Sequence, residues 1–386
     1  MSPRGLPRDN RCQRSIQIHY SRLTPFLFYL IVTSANDAPA CNYRKLKIDT
    51  LEKDAMKTPS NPQEILALSR NFMECRLLLT GAEIDIFTRL AEPASSMDLA
   101  EKQGWHERPL TVFLDALTAM GLLVKKDGLY RTDSELLPLL RSDSPRTVLP
   151  MIRHAATLWQ RWSNLTHIVT ETGGVESNGT LFEDREEKKA FIGAMHVVGS
   201  QHAPKIVQAI NPGAAQHLID VGGGSGTYTI AFLEASPEMS ATLFDLPDVV
   251  SMGRARITNA GLMDRVKIVA GNFYADDLPA GHDLALVSAI IHMNSLEQNV
   301  DLYKKIFDAL VPGGRIVIRD HVMKPDRNTP KSGALFAVNM LVGTPGGGTY
   351  TYDEIKTGLT AAGFEKVTLI QEGEAMMGLV EAFRPL

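Results

Sequence analysis

Two features of the sequence carry chemistry before any fold is considered: a glycine run behind a carboxylate, and a second carboxylate one strand further on. The first is His-Leu-Ile-Asp-Val-Gly-Gly-Gly-Ser-Gly, from His217 to Gly226. Leu218, Ile219 and Val221 form a short apolar run around Asp220, and Tyr228, Ile230, Phe232 and Leu233 follow in a pattern that suits the start of a helix. Strand, glycine turn and helix make the first unit of a nucleotide-binding α/β sheet. Gly222, Gly224 and Gly226 let the backbone turn tightly and approach a ligand where any Cβ would intrude. The second carboxylate is Asp245, at the end of an apolar strand from Ala241 to Phe244. At a strand tip it can accept hydrogen bonds from both hydroxyls of a ribose.

The spacing separates two classes of nucleotide ligand. A dinucleotide site uses G-x-G-x-x-G, with a pyrophosphate on the helix N-terminus. Here the third glycine comes one residue early, at Gly226, and Thr227 stands where that pattern has Gly or Ala. Asp-x-Gly-x-Gly-x-Gly, from Asp220 to Gly226, is the pattern of enzymes that bind S-adenosylmethionine (SAM). That ligand has an amino-acid tail and no phosphate, so an acidic residue at the turn can face an ammonium group. A purely structural glycine turn is the alternative, and it leaves Asp245 without a role.

The elements needed to position these groups follow in order. After Asp245 the sequence predicts a helix over 249–259, strand Val266 to Ala270, and Gly271-Asn272-Phe273. Then come strand Leu284 to Ser288, the His292 segment, a helix over 296–310, and a Pro312-Gly-Gly turn into strand Arg315 to Arg319, which ends at Asp320. A helix over 352–362 and strands over 366–370 and 377–383 complete a seven-stranded α/β sheet. Residues 149 to 210 read as all-helical, with Leu158, Trp159, Trp162 and Leu165 on one apolar face and Phe191 and Met195 on a helix ahead of the sheet.

Upstream, apolar residues Ile65, Leu68, Phe72, Cys75 and Leu79 predict one helical face. A short helix over 82–90, a helix over 97–102 capped by Ser96, and a helix opened by Pro109 come next, then a hairpin around Lys126-Asp127. This order is a winged-helix arrangement. A DNA-reading helix needs basic or amide side chains on its outer face. The 109–121 helix offers Asp115, threonines and apolar residues instead, so 60–145 is read as a dimerisation module. The predicted division is an extension at 1–55, the winged-helix module at 56–145, a helical linker and pocket region at 146–210, and the cofactor domain at 211–386.

Composition narrows the class. With 44% hydrophobic and 22% charged residues the chain has the make-up of a soluble globular protein, and a formal net charge of −4 argues against a general nucleic-acid binder. Cys12, Cys41 and Cys75 fall at no metal-ligand spacing, so neither a metal site nor a disulfide framework is expected, in keeping with a cytoplasmic protein. The 1–55 stretch has scattered arginines and an apolar run from Leu23 to Val32, too short to span a bilayer. Ala38-Pro39-Ala40 loosely resembles a secretory cleavage site, but the expectation is that translation starts at Met56, with the preceding stretch untranslated or a disordered tail.

The order of motifs resembles the small-molecule O-methyltransferases of the caffeate and acetylserotonin type, with their bacterial antibiotic and pigment relatives. The resemblance spans residues 60–386. It rests on Leu218-Ile-Asp-Val-Gly-Gly-Gly-Ser-Gly226, Phe244-Asp-Leu-Pro247, Gly271-Asn-Phe273, the His292 segment and Pro312-Gly-Gly-Arg-Ile-Val-Ile318. It implies SAM as cofactor, held by Asp220, Gly222, Gly224, Asp245 and Leu246, with Asn272 facing the adenine amino group and Phe273 packed near the ring. It also implies a homodimer through the N-terminal module. His292 matches the family's catalytic histidine, and an imidazole suits the removal of a proton from a phenol at neutral pH. Asp320 matches the first acidic residue that steers this histidine; the second position falls at Thr349 and is missing. Met293-Asn294 replaces the usual Asp-Trp. Met195, Phe336, Asn339 and Met340 fall where members line the acceptor pocket. The expected activity is SAM-dependent methylation of a hydroxyl on a phenolic or hydroxylated small molecule. Its rivals are another SAM-assisted reaction on a polyketide-like substrate, such as C-methylation or hydroxylation, and a winged-helix regulator that senses SAM.

Overall fold

The structure is a computed structural model and describes residues 58–175 and 185–386. The extension predicted at 1–55 lies outside the described residues. Pro62–Arg70 (α1), Phe72–Glu83 (α2), Ile86–Arg89 (α3), Ser96–Gln103 (α4) and Glu107–Ala119 (α5) lead into the hairpin Leu123–Lys126 (β1) and Leu129–Thr132 (β2). Asp127 and Gly128 at its tip both have positive φ, 51° and 82°, the two-residue turn that matches strand twist. Leu137–Leu140 (α6) and Leu149–Ser163 (α7) follow. Leu78, Ile86, Leu99, Leu114, Leu117 and Tyr130 lie in the core of this half.

Two expectations for this half change. The apolar face from Ile65 to Leu79 is not one helix: the chain breaks at Asn71, and α1 buries nothing, with Ile65 56% and Leu68 48% exposed. Ser95, not Ser96, caps α4, because its hydroxyl reaches the Asp98 amide at 3.0 Å.

The second half opens with helices Arg185–Ser200 (α8) and Ala203–Ile210 (α9). His217–Val221 (β3), Thr227–Ala235 (α10), Ser240–Asp245 (β4), Val250–Asn259 (α11) and Val266–Ala270 (β5) come next. His282–Ser288 (β6), Leu296–Ala309 (α12), Leu310–Asp320 (β7), Val322–Met323 (β8) and Lys331–Gly343 (α13) continue the chain. Tyr350–Thr351 (β9), Tyr352–Ala361 (α14), Glu365–Gln371 (β10) and Gly378–Phe383 (β11) close it. Seven strands form one sheet in the order β10-β11-β7-β6-β3-β4-β5. Strands β3 to β7 are parallel, and β11 runs antiparallel to both β7 and β10.

Near-continuous apolar runs in β3, β6 and β7 suit strands covered on both faces. Ile219, Ala285, Ile316 and Ile318 face α12 and α14, whereas Leu218, Leu286 and Val317 face α9, α10 and α11. This alternation decides which side of the sheet each functional residue serves. The strand order reverses between β3 and β6, and at that reversal an open α/β sheet leaves a crevice beyond its carboxyl ends.

Candidate active site

At the crevice, the turn after β3 depends on its glycines. Gly222, Gly224 and Gly226 have φ of 70°, 55° and 76°, the left-handed region that other residues enter at a cost. A Cβ on Gly222 would lie 2.5 Å from Ile290 Cδ1, so that position is closed by packing. On Gly224 a Cβ would meet nothing nearer than 3.9 Å, and one of the two atoms there is Asp245 Oδ2. Gly224 therefore borders open space beside a carboxylate, the cradle that an adenosine ligand requires. Asp245 accepts from the Gly224 amide at 2.7 Å and, through its other oxygen, from the Leu246 amide at 2.7 Å. Burial raises its pKa despite these bonds. Each oxygen retains a lone pair for a hydroxyl donor.

Asp220 serves the turn from beneath. It is 2% exposed, accepts from the Thr229 hydroxyl at 2.6 Å, and burial pushes its carboxyl up to about 6. Its side chain underpins Gly223, where a Cβ would come within 2.8 Å of its Cγ. Phe273 lies beside Gly222. The Asn272 carboxamide oxygen accepts from the Tyr274 amide at 3.0 Å, so one of its lone pairs is already engaged.

His292 stands on a single 3₁₀ turn, Ile291–Met293, just past β6. Asn299 of α12 donates to the Ile291 carbonyl at 2.9 Å, and the Gly348 amide donates to the His292 carbonyl at 2.9 Å. His292 Nδ1 is 3.0 and 2.9 Å from the two carboxylate oxygens of Asp320, at the end of β7. Both side chains are buried, at 6% and 1% exposed. Burial alone would raise the Asp320 carboxyl. The His292 imidazole beside it, together with the bonds from that ring and from the His321 amide, holds it below its ordinary value. An ionised Asp320 places the proton on Nδ1 and leaves Nε2 as the basic ring nitrogen. Thr349 does not reach His292; its hydroxyl donates to the Gly333 carbonyl at 3.3 Å.

A family model for an O-methyltransferase domain matches residues 162–365. The chain is 30% identical over 316 residues to a 3-hydroxy-5-methyl-1-naphthoate 3-O-methyltransferase of Streptomyces sahachiroi, covering 80% of this chain and 91% of that one. The chain belongs to the O-methyltransferase family. It is also 32% identical over 313 residues to the tetracenomycin polyketide synthesis 8-O-methyl transferase of Streptomyces glaucescens, covering 79% of this chain and 92% of that one. The fold matches human N-acetylserotonin methyltransferase in complex with SAM at a TM-score of 0.72 and 22% identity, over 86% of this chain and 100% of that one.

Around His292, this O-methyltransferase sets the Phe336 ring edge-on to the imidazole, with centroids 4.9 Å apart. Asn339 accepts from the Trp162 indole at 3.0 Å, which ties α13 to α7. Met340 is buried, and Met195 is partly buried on α8. Sequence reasoning missed His196, whose Nδ1 meets the Thr227 hydroxyl at 2.8 Å directly after the glycine turn. It also missed His321, whose ring lies 4.9 Å from Phe336 on its other contact. Arg319 went unnoticed too. The available signal was adjacency, since Arg319 and His321 flank Asp320 in the chain.

Proposed function

We infer that this O-methyltransferase uses SAM to methylate a hydroxyl of an aromatic, polyketide- or naphthoate-like small molecule, with His292 as general base. The observation that carries the reading is the buried His292–Asp320 pair at the same sheet edge as the Gly224–Asp245 cradle. SAM, when bound, supplies a methyl group on a sulfonium that is open to in-line attack. Asp245 and the Gly222–Gly226 turn hold the adenosine end, with Leu246, Asn272 and Phe273 around it. His292 accepts the hydroxyl proton at Nε2, and Asp320 stabilises the imidazolium that results. Phe336 borders the imidazole and limits where an aromatic acceptor can lie, with Met195, Asn339 and Met340 forming the wider wall. The named activities of the two Streptomyces relatives support a ring-hydroxyl acceptor.

The N-terminal half, residues 56–145, serves as a winged-helix-type dimerisation module, supported by the apolar side chains that α1 and α2 leave exposed. The 146–210 segment links it to the catalytic domain at 211–386, and the enzyme works in the cytoplasm, where SAM is made. No helix among the described residues is long and apolar enough to cross a membrane. The activity is tested by incubating the enzyme with SAM and a panel of hydroxylated naphthalenes and naphthoates, then following methyl gain by mass spectrometry. Methylation at carbon, or none at all in a protein that binds SAM, would overturn the assignment.

A further inference from the structure

Directly beside Asp320, on the opposite face of the sheet, lies a buried cation that the reaction above does not use. Arg319 is 9% exposed. Among the described residues it makes one hydrogen bond, from Nη1 to the Ser288 hydroxyl at 3.2 Å, and its Nε is buried without a partner there. No carboxylate among the described residues lies within ion-pair distance of it. Its guanidinium lies 5.2 Å from the centre of the Tyr228 ring, on the first turn of α10. Burial pushes the Tyr228 phenol up, so that ring stays neutral and cannot balance the charge. His321 also feels Arg319, and so does His202. Burial lowers the His202 imidazole, and Arg319 and Lys205 lower it further.

A buried guanidinium without an anionic partner is costly, and the usual resolution is an anion that belongs to a ligand. The position tells which part of the site that ligand occupies. Ser288 ends β6, the Ala289 amide donates to the Arg319 carbonyl at 2.8 Å, and Tyr228 follows the glycine turn by two residues. All of these border the switch-point crevice at the start of α10, on the side away from His292.

We propose that Arg319 is a carboxylate-recognition residue at the end of this crevice, and that it takes the α-carboxylate of the cofactor's amino-acid tail. This rests on the SAM reading above. An acidic acceptor could offer the same chemistry, and the two sources are separable by experiment.

Calorimetry on the full chain decides it, with S-adenosylhomocysteine and its decarboxylated form as probes. Wild type is expected to bind the first about 10- to 100-fold more tightly, the range for one charge-assisted pair. Arg319→Met should remove that preference by weakening S-adenosylhomocysteine alone, and Arg319→Lys should restore part of it. Equal weakening of both ligands would mean that Arg319 only supports the turn, and would overturn the proposal. An arm with a hydroxynaphthoate and the matching naphthol places the source: a rise in KM confined to the naphthoate, with cofactor affinity unchanged, moves the carboxylate site to the acceptor. No change in either arm overturns it. Wild type that binds neither adenosyl probe contradicts the SAM reading itself. If the Met variant fails to fold, Arg319→Gln, which keeps polarity and most of the side-chain length without the charge, carries the same comparison.

Discussion

His292 Nδ1 is held by both oxygens of Asp320 from the neighbouring strand end, and by no other carboxylate among the described residues. One acid therefore does the work of orienting the imidazole. Because Asp320 is held below its ordinary carboxylate range, it stays ionised throughout neutral pH and does not compete for the proton.

His292→Gln is expected to lower turnover on a phenolic acceptor by about 10²-fold or more, with SAM binding intact, the usual scale for loss of a positioned base. Asp320→Asn should cost less, since the ring remains but its tautomer is no longer held. The His292→Gln rate should follow the ionisation of the phenol itself, and the wild-type pH profile should differ from it. Coincident pH–rate profiles would remove His292 from the proton transfer.

His321 sets an acid limit on stability. Burial first, then His292 and Arg319, push its imidazole down to about 4, while Asp320 and Glu374 act in the opposite sense. The unfolded chain takes up this proton near pH 6.5 and the folded one only near 4, so the stability is full above 6.5 and falls as pH drops between those values. The difference is of order 3 kcal/mol. Denaturant melts of His321→Phe should show a shallower loss between pH 7 and 4.5 than wild type. Parallel losses in the two proteins would place the acid sensitivity elsewhere.

The glycine turn should separate packing from binding. A side chain at Gly222 collides with Ile290, whereas at Gly224 it enters the open cradle. Gly222→Val is expected to lower the melting temperature strongly. Gly224→Val should cost about 1–2 kcal/mol of stability, because of its left-handed φ, yet abolish SAM binding by calorimetry. Retained affinity in the second variant would relocate the cofactor.

Light scattering should give twice the chain mass of 42.4 kDa for the purified enzyme. Leu66→Lys with Phe72→Lys should shift it toward monomer without loss of fold, because both side chains are about half exposed in the single chain. A wild-type monomer at micromolar concentration would end the dimer reading.

By itself, the sequence determined the parts that depend on local rules. Glycines at 222, 224 and 226 announce the left-handed turn because few other residues tolerate it, and apolar runs of strand length announce a sheet covered on both faces. The position of His292 past a strand end followed from the same count of elements. Only the tertiary structure decided what those elements face. Asp320 meets His292, and Arg319 turns away, because alternation along β7 assigns adjacent residues to opposite faces, and pairing with β6 and β11 sets which face is which. Asp220 reads as a ligand contact, yet it lies buried under the turn, where it accepts from the Thr229 hydroxyl nine residues further on, in the first turn of α10. The apolar residues of α1 look like core in a linear pattern. They are exposed, as are Phe72 and Met73 just beyond Asn71, and periodicity records that a face is apolar without recording what covers it.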